Sequence, residues 1–280
     1  LSPSTLVRLK AKWQQEYDAW RQRPLEDQEV VYLWVDGIYV KAGLEKEKAA
    51  LLVAVAALSD GSKVILAVEA GVRESTESWS RLLRSLKERG MKCPRLVIGD
   101  GNLGLWGALA NVYPEAGEQR CWNHRIVNVL DRVPQKKQAQ VAEWLRVMMY
   151  APTQEKAEAE KEKFQRWCEG QGVEAAGKVL EEDWERRVAY YGYPKEHWVH
   201  LRTTNPVESP FAAVRLRTSA AKRYKRVENA SAMIWKLLMV GEPRFRKLNA
   251  PELMRRVAAG ATYVNGVRSW GEAEENQIAA

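Results

Sequence analysis

Apolar residues along the chain follow two spacings, and these predict where strands and helices lie. The run over residues 30–35 is β-branched and aromatic, which predicts a strand ending at Asp36-Gly37. Two further apolar runs, residues 49–58 and 64–68, flank Asp60-Gly61, a dipeptide typical of hairpin turns. The pattern therefore predicts three strands in hairpin connection.

Helical spacing dominates the segments that follow the predicted hairpins. Apolar positions three and four apart predict helices over residues 75–89 and 103–112, and another over residues 4–22 near the start. Short runs at 95–98 and 119–122 predict two more strands. This order predicts a mixed α/β sheet with helices on its faces.

The hydrophobic pattern changes again after the fifth predicted strand. Residues 134–192 are rich in Glu, Lys, Gln and Ala with periodic apolar positions, which predicts a small helical bundle. The predicted organisation has four parts: an N-terminal helical segment at 1–28, an α/β core at 29–133 and 200–240, a helical insertion at 134–199, and a basic helical tail at 241–280.

The distribution of charge indicates the class of binding partner, and the number of cysteines indicates the redox state of the compartment. The net charge is +8, and residues 201–256 concentrate the excess with thirteen Lys or Arg against four Asp or Glu. Such a segment favours a polyanionic partner. Three scattered cysteines favour a reducing cytoplasm, and the sequence contains no apolar run of about 18 residues that would predict a membrane span.

Two aspartates occupy positions typical of a metal site. Asp36 directly follows the first predicted strand, and Asp100 directly follows the fourth. Carboxylates at strand ends of an α/β sheet lie where ligands bind, and Mg²⁺ prefers oxygen ligands. A purely structural role in Asp-Gly turns remains open for both. Their position after a buried strand distinguishes them from Asp60, which lies between two hairpin strands.

Glu208 has two competing interpretations. Asn205 is a good N-cap and Pro206 a good first helical residue, so Glu208 fits the capping box of a new helix. The alternative is a metal-binding carboxylate. Arg215 lies seven residues later on the same helical face, about 10 Å along the axis, where a guanidinium could hold a phosphate.

Four motifs follow one another along the chain. They are Asp36-Gly37-Ile38-Tyr39-Val40-Lys41, Gly99-Asp100-Gly101-Asn102-Leu103-Gly104-Leu105, Gln119-Arg120-Cys121-Trp122-Asn123-His124 and Arg202-Thr203-Thr204-Asn205-Pro206-Val207-Glu208. Together they resemble the catalytic region of Mutator-type transposases from bacterial insertion sequences. The likeness runs from about Ser4 to about Gly266.

The resemblance implies a ribonuclease-H-like fold, with a mixed five-stranded sheet, flanking helices and an all-helical insertion. It implies a metal-dependent catalytic site of Asp36, Asp100 and Glu208 that takes Mg²⁺, with Mn²⁺ as a substitute. The expected reaction is two-metal phosphoryl transfer, in which Asp36 bridges both ions. The expected partners are transposon-end and target DNA and further copies of the chain, at the bacterial nucleoid.

The resemblance also bears on DNA contacts. We expect Arg202, Asn205, Arg215 and Arg217 to contact DNA, with the arginines on backbone phosphates. The sequence departs from the family pattern at Asn102, where the family often has His and where Asn cannot shuttle a proton. A second departure lies over residues 218–229, which match the usual arginine-rich continuation poorly.

The Cys121-x-x-His124 pair leaves alternatives open. A zinc site would need four ligands, and His197 and His200 are the only plausible second pair. A buried cysteine with a hydrogen-bonded histidine explains the pair equally well. The family carries the same pair, which implies a supporting role near the active site or in placing the insertion.

Three other functions remain open on the sequence. A nuclease or resolvase on the same fold would share the carboxylates without strand transfer. A non-catalytic DNA-binding protein derived from a transposase would bind DNA without Mg²⁺-dependent cleavage. A helical scaffold with a basic tail would bind any polyanion, without specific phosphate contacts.

Overall fold

A computed structural model of the chain describes residues 2–41, 48–71, 74–101, 103–219 and 227–269. Its main sheet has five strands: β1 (Val30–Lys41), β2 (Lys48–Leu58), β3 (Lys63–Gly71), β4 (Leu96–Gly99) and β5 (Gly117–Arg120). Their order across the sheet is β3-β2-β1-β4-β5. β1, β2 and β3 pair antiparallel, whereas β1, β4 and β5 pair parallel. The predicted mixed five-stranded sheet is confirmed.

Helices surround this sheet and fill the later half of the chain. In chain order they are α1 (Pro3–Arg21), α2 (Thr76–Glu88), α3 (Leu103–Val112), α4 (Trp122–Leu130), α5 (Gln135–Met149), α6 (Gln154–Gln171), α7 (Glu174–Glu181), α8 (Trp184–Val188), α9 (Trp198–Leu201), α10 (Asn205–Ser219), α11 (Val227–Gly241) and α12 (Met254–Ala258). Helices α5 to α9 lie between the fifth strand and the helix that carries Glu208, as the predicted insertion requires. No helix within the described ranges is long and apolar enough to cross a membrane.

The first strand is longer than the sequence predicts. It continues through Asp36 to Lys41 because β2 pairs with it along its whole length, from Val30 opposite Leu58 to Lys41 opposite Lys48. The prediction that this strand ends at Asp36-Gly37 is therefore wrong. The hydrogen-bonding partner that extends the strand is distant in sequence, so local turn propensity gives no sign of it.

The Asp60-Gly61 turn between β2 and β3 is confirmed. Gly61 has a φ of +79°, a left-handed conformation that favours glycine. Its amide donates to the Leu58 carbonyl at 2.8 Å, and the Ser62 amide donates to the Asp60 carboxylate at 2.9 Å. Asp60 therefore stabilises the turn between β2 and β3.

The sheet separates two hydrophobic cores. Side chains of β1 alternate, with Leu33 and Val35 in the core formed with α2 and α3. Tyr32 and Trp34 enter the opposite core, which includes α1, α10, α11 and the inserted helices. Among the residues that the structure describes, the sheet therefore packs against a hydrophobic core on each face.

The C-terminal tail is only partly helical. After α11 the described chain contains short 3₁₀ turns, α12 and a two-stranded hairpin of β6 (Tyr263–Val264) and β7 (Val267–Arg268). The prediction of a helical tail over 241–280 therefore needs correction for residues 241–269. Residues 270–280 lie outside the described part of the chain.

Candidate active site

Asp36 and Asp100 are neighbours because two parallel strands hold them in register. The last paired residues of β1 and β4 are Trp34 and Ile98, and each aspartate lies two residues beyond that pair. Neighbouring strands are about 4.8 Å apart, and paired residues of parallel strands face the same side of the sheet. The sheet itself therefore brings the two carboxylates together.

Asp36 is a strongly perturbed acid. Burial, together with the charges of Glu208, Asp100 and Glu74, raises the pKa of Asp36 to about 7, although a 2.8 Å hydrogen bond from the Gly37 amide opposes the shift. An ionised carboxylate is costly in such a place without a counter-charge. The strand thus holds Asp36 where a cation would relieve the crowding of negative charge.

Glu208 lies in the first turn of α10, and its carboxylate contacts Thr204, the residue just before that helix. The Glu208 amide donates to the Thr204 carbonyl at 3.0 Å, and the Thr204 hydroxyl hydrogen-bonds to the Glu208 carboxylate. The helix begins at Asn205, so Thr204 takes the capping position predicted for Asn205. The Asn205 amide donates to the Thr203 hydroxyl and the Thr204 amide to the Cys121 sulfur, so the predicted capping box with Glu208 is not the contact observed. The Glu208 carboxylate accepts from the Thr204 hydroxyl instead, and its charge contributes to the raised pKa of Asp36.

Cys121 and His124 lie beside Glu208. Among the described residues, Cys121, His124 and Glu208 form a group whose ligand atoms lie within 4.8 Å of one another. His124 Nδ1 is 3.9 Å from a Glu208 carboxylate oxygen. The hydrogen bond with Cys121, and the charges of Glu208 and Asp100, raise the pKa of His124 to about 9, so the ring is a cation at neutral pH. Thr204 donates to the Cys121 sulfur through its amide at 3.4 Å.

The zinc alternative with four ligands is not supported. His197 pairs instead with the Tyr32 hydroxyl at 2.8 Å and the Ala250 carbonyl at 3.2 Å. His200 Nε2 accepts from the Asn249 amide at 3.2 Å. Both histidines are thus occupied elsewhere and are not members of the Cys121 group.

The donor set around Asp36 fits a hard divalent cation. Its ligands would be carboxylate oxygens from Asp36 and Asp100, which Mg²⁺ and Mn²⁺ both accept. The observation in favour is the raised pKa of Asp36, caused first by burial and then by the charges of neighbouring acids, because a dication would favour the ionised carboxylate against both effects. Glu208 could join after releasing Thr204.

A groove of about 410 Å³ runs along the exposed side of α10. It is lined by Asn205, Glu208, Ser209, Ala212 and Arg215. Two of the four predicted DNA contacts, Asn205 and Arg215, therefore lie next to Glu208 on one open surface. The predicted placement of Arg215 on the Glu208 face of the helix agrees with this groove.

The structure argues against Arg202 as a phosphate contact. Its guanidinium lies 4.9 to 5.4 Å from the ring centres of Tyr150, Tyr190 and Trp198, and the residue is only 8% exposed. Arg202 therefore packs the junction between the insertion and α10. The side chain of Arg217 and all of Asn102 lie outside the described residues.

Two charged residues near the aspartates escape the sequence prediction. Glu74 precedes α2, and its carboxylate fills the space that a Cβ atom at Gly37 would need. Arg120 ends β5, packs against Gly101 and forms an ion pair with Asp183. The sequence signal for both is the glycine that follows each aspartate, because a glycine permits another side chain to come close. The sequence does not show which side chain that is.

This strand order, with aspartates at adjacent positions of two central parallel strands, defines a ribonuclease-H-like α/β protein. The profile of the family described as "Transposase, Mutator family" matches residues 1–244. The chain therefore belongs to the Mutator family of transposases. The predicted resemblance and fold class are both confirmed.

Individual relatives agree with the family. The transposase of insertion sequence IS6120 from Mycolicibacterium smegmatis is 42% identical over 266 residues, which cover 95% of this chain and 82% of the relative. The IST2 transposase from Acidithiobacillus ferrooxidans is 36% identical over 268 residues, which cover 95% of this chain and 90% of the relative. The solved Drosophila P element transposase strand transfer complex overlaps 91% of this chain and 77% of its own at 12% identity, with a TM-score of only 0.34. The fold assignment accordingly rests on the strand order.

Proposed function

We propose that this transposase cleaves DNA at transposon ends and joins them to target DNA at a site built from Asp36, Asp100 and Glu208. The observation that supports this most is the register of β1 and β4, which sets Asp36 and Asp100 side by side. The raised pKa of Asp36 is a second support, since burial and the neighbouring acids disfavour its charge and a bound cation would oppose both effects. Glu208 supplies the third carboxylate.

Mg²⁺, or Mn²⁺ in its place, would be held by these three carboxylates. When bound, such ions activate the attacking oxygen and stabilise the leaving oxygen of an in-line phosphoryl transfer. The chain's own contribution is to hold Asp36 and Asp100 on a rigid sheet and to keep them ionised once the counter-charge is present. Precise placement on regular elements limits the reorganisation needed at each step.

Glu208 must change its contacts to complete this site. In the conformation described, its carboxylate is engaged by the Thr204 hydroxyl, with the His124 cation 3.9 Å away. Rotation of the Glu208 side chain would bring it toward Asp36, whose pKa already responds to it. We propose that DNA and cation binding drive this rotation and that Cys121 and His124 support it without taking part in the chemistry.

DNA would reach the carboxylates through the α10 groove. Arg215 and Asn205 line the groove on the Glu208 side, so phosphate contacts there would set the scissile bond beside the carboxylates. The chain's net charge of +8 favours this association. Pairing of two transposon ends would require further copies of the chain, so we propose a homo-oligomer in the active complex.

End-cleavage and strand-transfer assays test this function. Asp36→Asn and Asp100→Asn should each lower cleavage by at least about 100-fold in Mg²⁺, because removing preorganised transition-state stabilisation costs about that much. Asp60→Asn is the matched control, since it alters the same Asp-Gly dipeptide in a plain turn, and it should cleave normally.

Three outcomes would contradict parts of the proposal. Undiminished cleavage by Asp36→Asn or Asp100→Asn would exclude the proposed site. Cleavage without joining of a supplied 3′-OH end would favour a nuclease or resolvase. DNA binding by the wild-type chain without any Mg²⁺-dependent cleavage would favour a non-catalytic derivative.

A further inference from the structure

The starts of α4 and α10 are joined beside the proposed active site. The Trp122 amide, in the first turn of α4, donates to the Arg202 carbonyl at 2.9 Å, just before α10. Cys121 is the N-cap of α4, and Glu208 lies in the first turn of α10. This contact therefore helps to set a thiol from one helix start next to a carboxylate from the other.

His124 completes a group of three side chains that can each bind a metal. It follows Cys121 by three residues, so the two side chains lie on the same face of α4. Their ligand atoms and a Glu208 carboxylate oxygen lie within 4.8 Å of one another, and His124 Nδ1 is 3.9 Å from a Glu208 oxygen. The ligand atoms of a tetrahedral zinc ion are about 3.5 Å apart, so the group needs to contract by roughly 1 Å.

The Nδ1 atom of His124 is buried and has few partners. Apart from the Cys121 sulfur, it has no hydrogen-bond partner among the described residues, and 3.9 Å to Glu208 is too long for a hydrogen bond. A network of ions without a metal is the simple alternative, yet it leaves this nitrogen poorly satisfied. A metal ion between the three side chains would satisfy it.

Thr204 supports two of the three ligands from outside the group. Its amide donates to the Cys121 sulfur at 3.4 Å, and its hydroxyl lies 3.2 Å from that sulfur and contacts the Glu208 carboxylate. Outer hydrogen bonds of this kind orient the ligands of metal sites. The side chains of His124 and Glu208 are 41% and 30% exposed, so an ion can enter from the α10 groove, which Glu208 lines.

We propose that Cys121, His124 and Glu208 form a second metal site, which takes Zn²⁺ or another thiolate-binding divalent ion in preference to Mg²⁺. A cysteine sulfur and a histidine nitrogen suit Zn²⁺, whereas Mg²⁺ prefers oxygen ligands such as those around Asp36. The site has three protein ligands and a fourth position for water. A bound ion keeps Glu208 at the start of α10 and away from Asp36, so it inhibits cleavage. That inhibition, unlike the site itself, rests on the proposed function of Glu208.

Co²⁺ binding to the DNA-free chain tests the site through the absorption of a metal–sulfur bond. Co²⁺ accepts the ligands that Zn²⁺ accepts, and its bond to a thiolate absorbs in the near ultraviolet. The wild type should show this band, an equal amount of Zn²⁺ should remove it, and a large excess of Mg²⁺ should not. Cys121→Ser should abolish the band. Cys93→Ser is the matched control at a half-buried cysteine of another segment, and it should retain the band.

His124→Gln and Glu208→Gln keep the sulfur and test the other two ligands. Each should weaken Co²⁺ binding at least about tenfold, since even the outer partners of a metal site cost that much. Circular dichroism melting verifies that each variant is folded, and these two variants carry the test if Cys121→Ser is not. Unchanged affinity in both would overturn the proposal, as would a band that survives in Cys121→Ser or disappears in Cys93→Ser.

Asp36→Asn separates this inference from the proposed function. It should leave the Co²⁺ band unchanged, because Asp36 is not one of the three grouped ligands, and loss of the band would overturn the proposed ligand set. Normal cleavage by Asp36→Asn with the band intact would overturn the proposed function and leave this metal site standing.

Inhibition by Zn²⁺ tests the shared role of Glu208. In Mg²⁺, added Zn²⁺ should slow cleavage by the wild type more than cleavage by His124→Gln, each compared with its own rate without Zn²⁺. Equal inhibition of the two proteins would overturn the inhibitory role, because the ion would then act at a place that does not involve His124.

Discussion

The ionisation of Asp36 is the residue-scale property that links the fold to its function. Burial of this carboxyl, together with the charges of three neighbouring acids, raises its pKa to about 7. Ionising Asp36 in the folded protein therefore costs free energy, which the proposed cation would offset on binding.

Asp36→Asn should stabilise the cation-free protein at alkaline pH. The folded pKa of about 7 exceeds the unfolded value of about 3.9, so wild-type stability falls as pH rises from the unfolded pKa through the folded pKa. Asn cannot ionise. Its advantage in unfolding free energy should therefore grow by roughly 1–3 kcal/mol between about pH 5 and pH 9, measured by urea denaturation with EDTA. A difference that does not vary with pH would show that Asp36 titrates normally.

At the scale of elements, the start of α10 decides where Glu208 points. The Thr204 hydroxyl reaches the Glu208 carboxylate, and the Thr204 amide donates to the buried Cys121 sulfur. These contacts join the end of β5 to the helix that carries the third carboxylate. The Thr204 hydroxyl therefore holds the Glu208 carboxylate at the start of α10 in the conformation described.

Thr204→Ala tests this arrangement through stability. Loss of the hydroxyl removes a hydrogen bond to a charged group, and we expect the free energy of unfolding to drop by about 1–2 kcal/mol. Thr204→Ser keeps the hydroxyl and serves as the control. Equal stability of the Ala and Ser variants in urea denaturation would mean that Glu208 gains nothing from Thr204.

The sequence predicts well those elements that depend on residues close to one another in the chain. The Asp60-Gly61 turn, α2 and α3 follow from dipeptide preference and apolar spacing, and the structure has all three. The end of β1 was predicted at Asp36 on the same local grounds, yet pairing with β2 carries the strand on to Lys41. Glu74 was missed for a related reason, because its approach to Gly37 joins segments that are distant in sequence.

At the scale of the whole molecule, the arginines of the basic segment divide between the interior and the open surface. Arg202 lies among three aromatic rings in the interior, whereas Arg215 lines the open groove beside Glu208. Both are part of the same basic segment of the sequence. Charge alone does not distinguish these two arginines, whereas burial among the rings of the inserted helices leaves Arg215 as the one open to the proposed DNA partner.

Salt dependence of DNA affinity should distinguish these two arginines. Arg215→Ala should reduce the slope of log affinity against log salt by about 1, as expected for one lost phosphate contact. Arg202→Ala should leave that slope unchanged and lower the free energy of unfolding by about 2 kcal/mol or more, through lost cation–π packing. A reduced slope in the Arg202 variant with unchanged stability would reverse the assignment.

The most direct test of the central claim, that Asp36 holds the catalytic cation, is a switch in metal preference. Asp36→Cys replaces a hard oxygen ligand by a soft thiolate, which binds Mn²⁺ better than Mg²⁺. Transposon-end cleavage by this variant should be lost in Mg²⁺ and partly restored in Mn²⁺, while Asp60→Cys cleaves like the wild type in both. Cleavage by Asp36→Cys at the wild-type rate in Mg²⁺ would contradict the account.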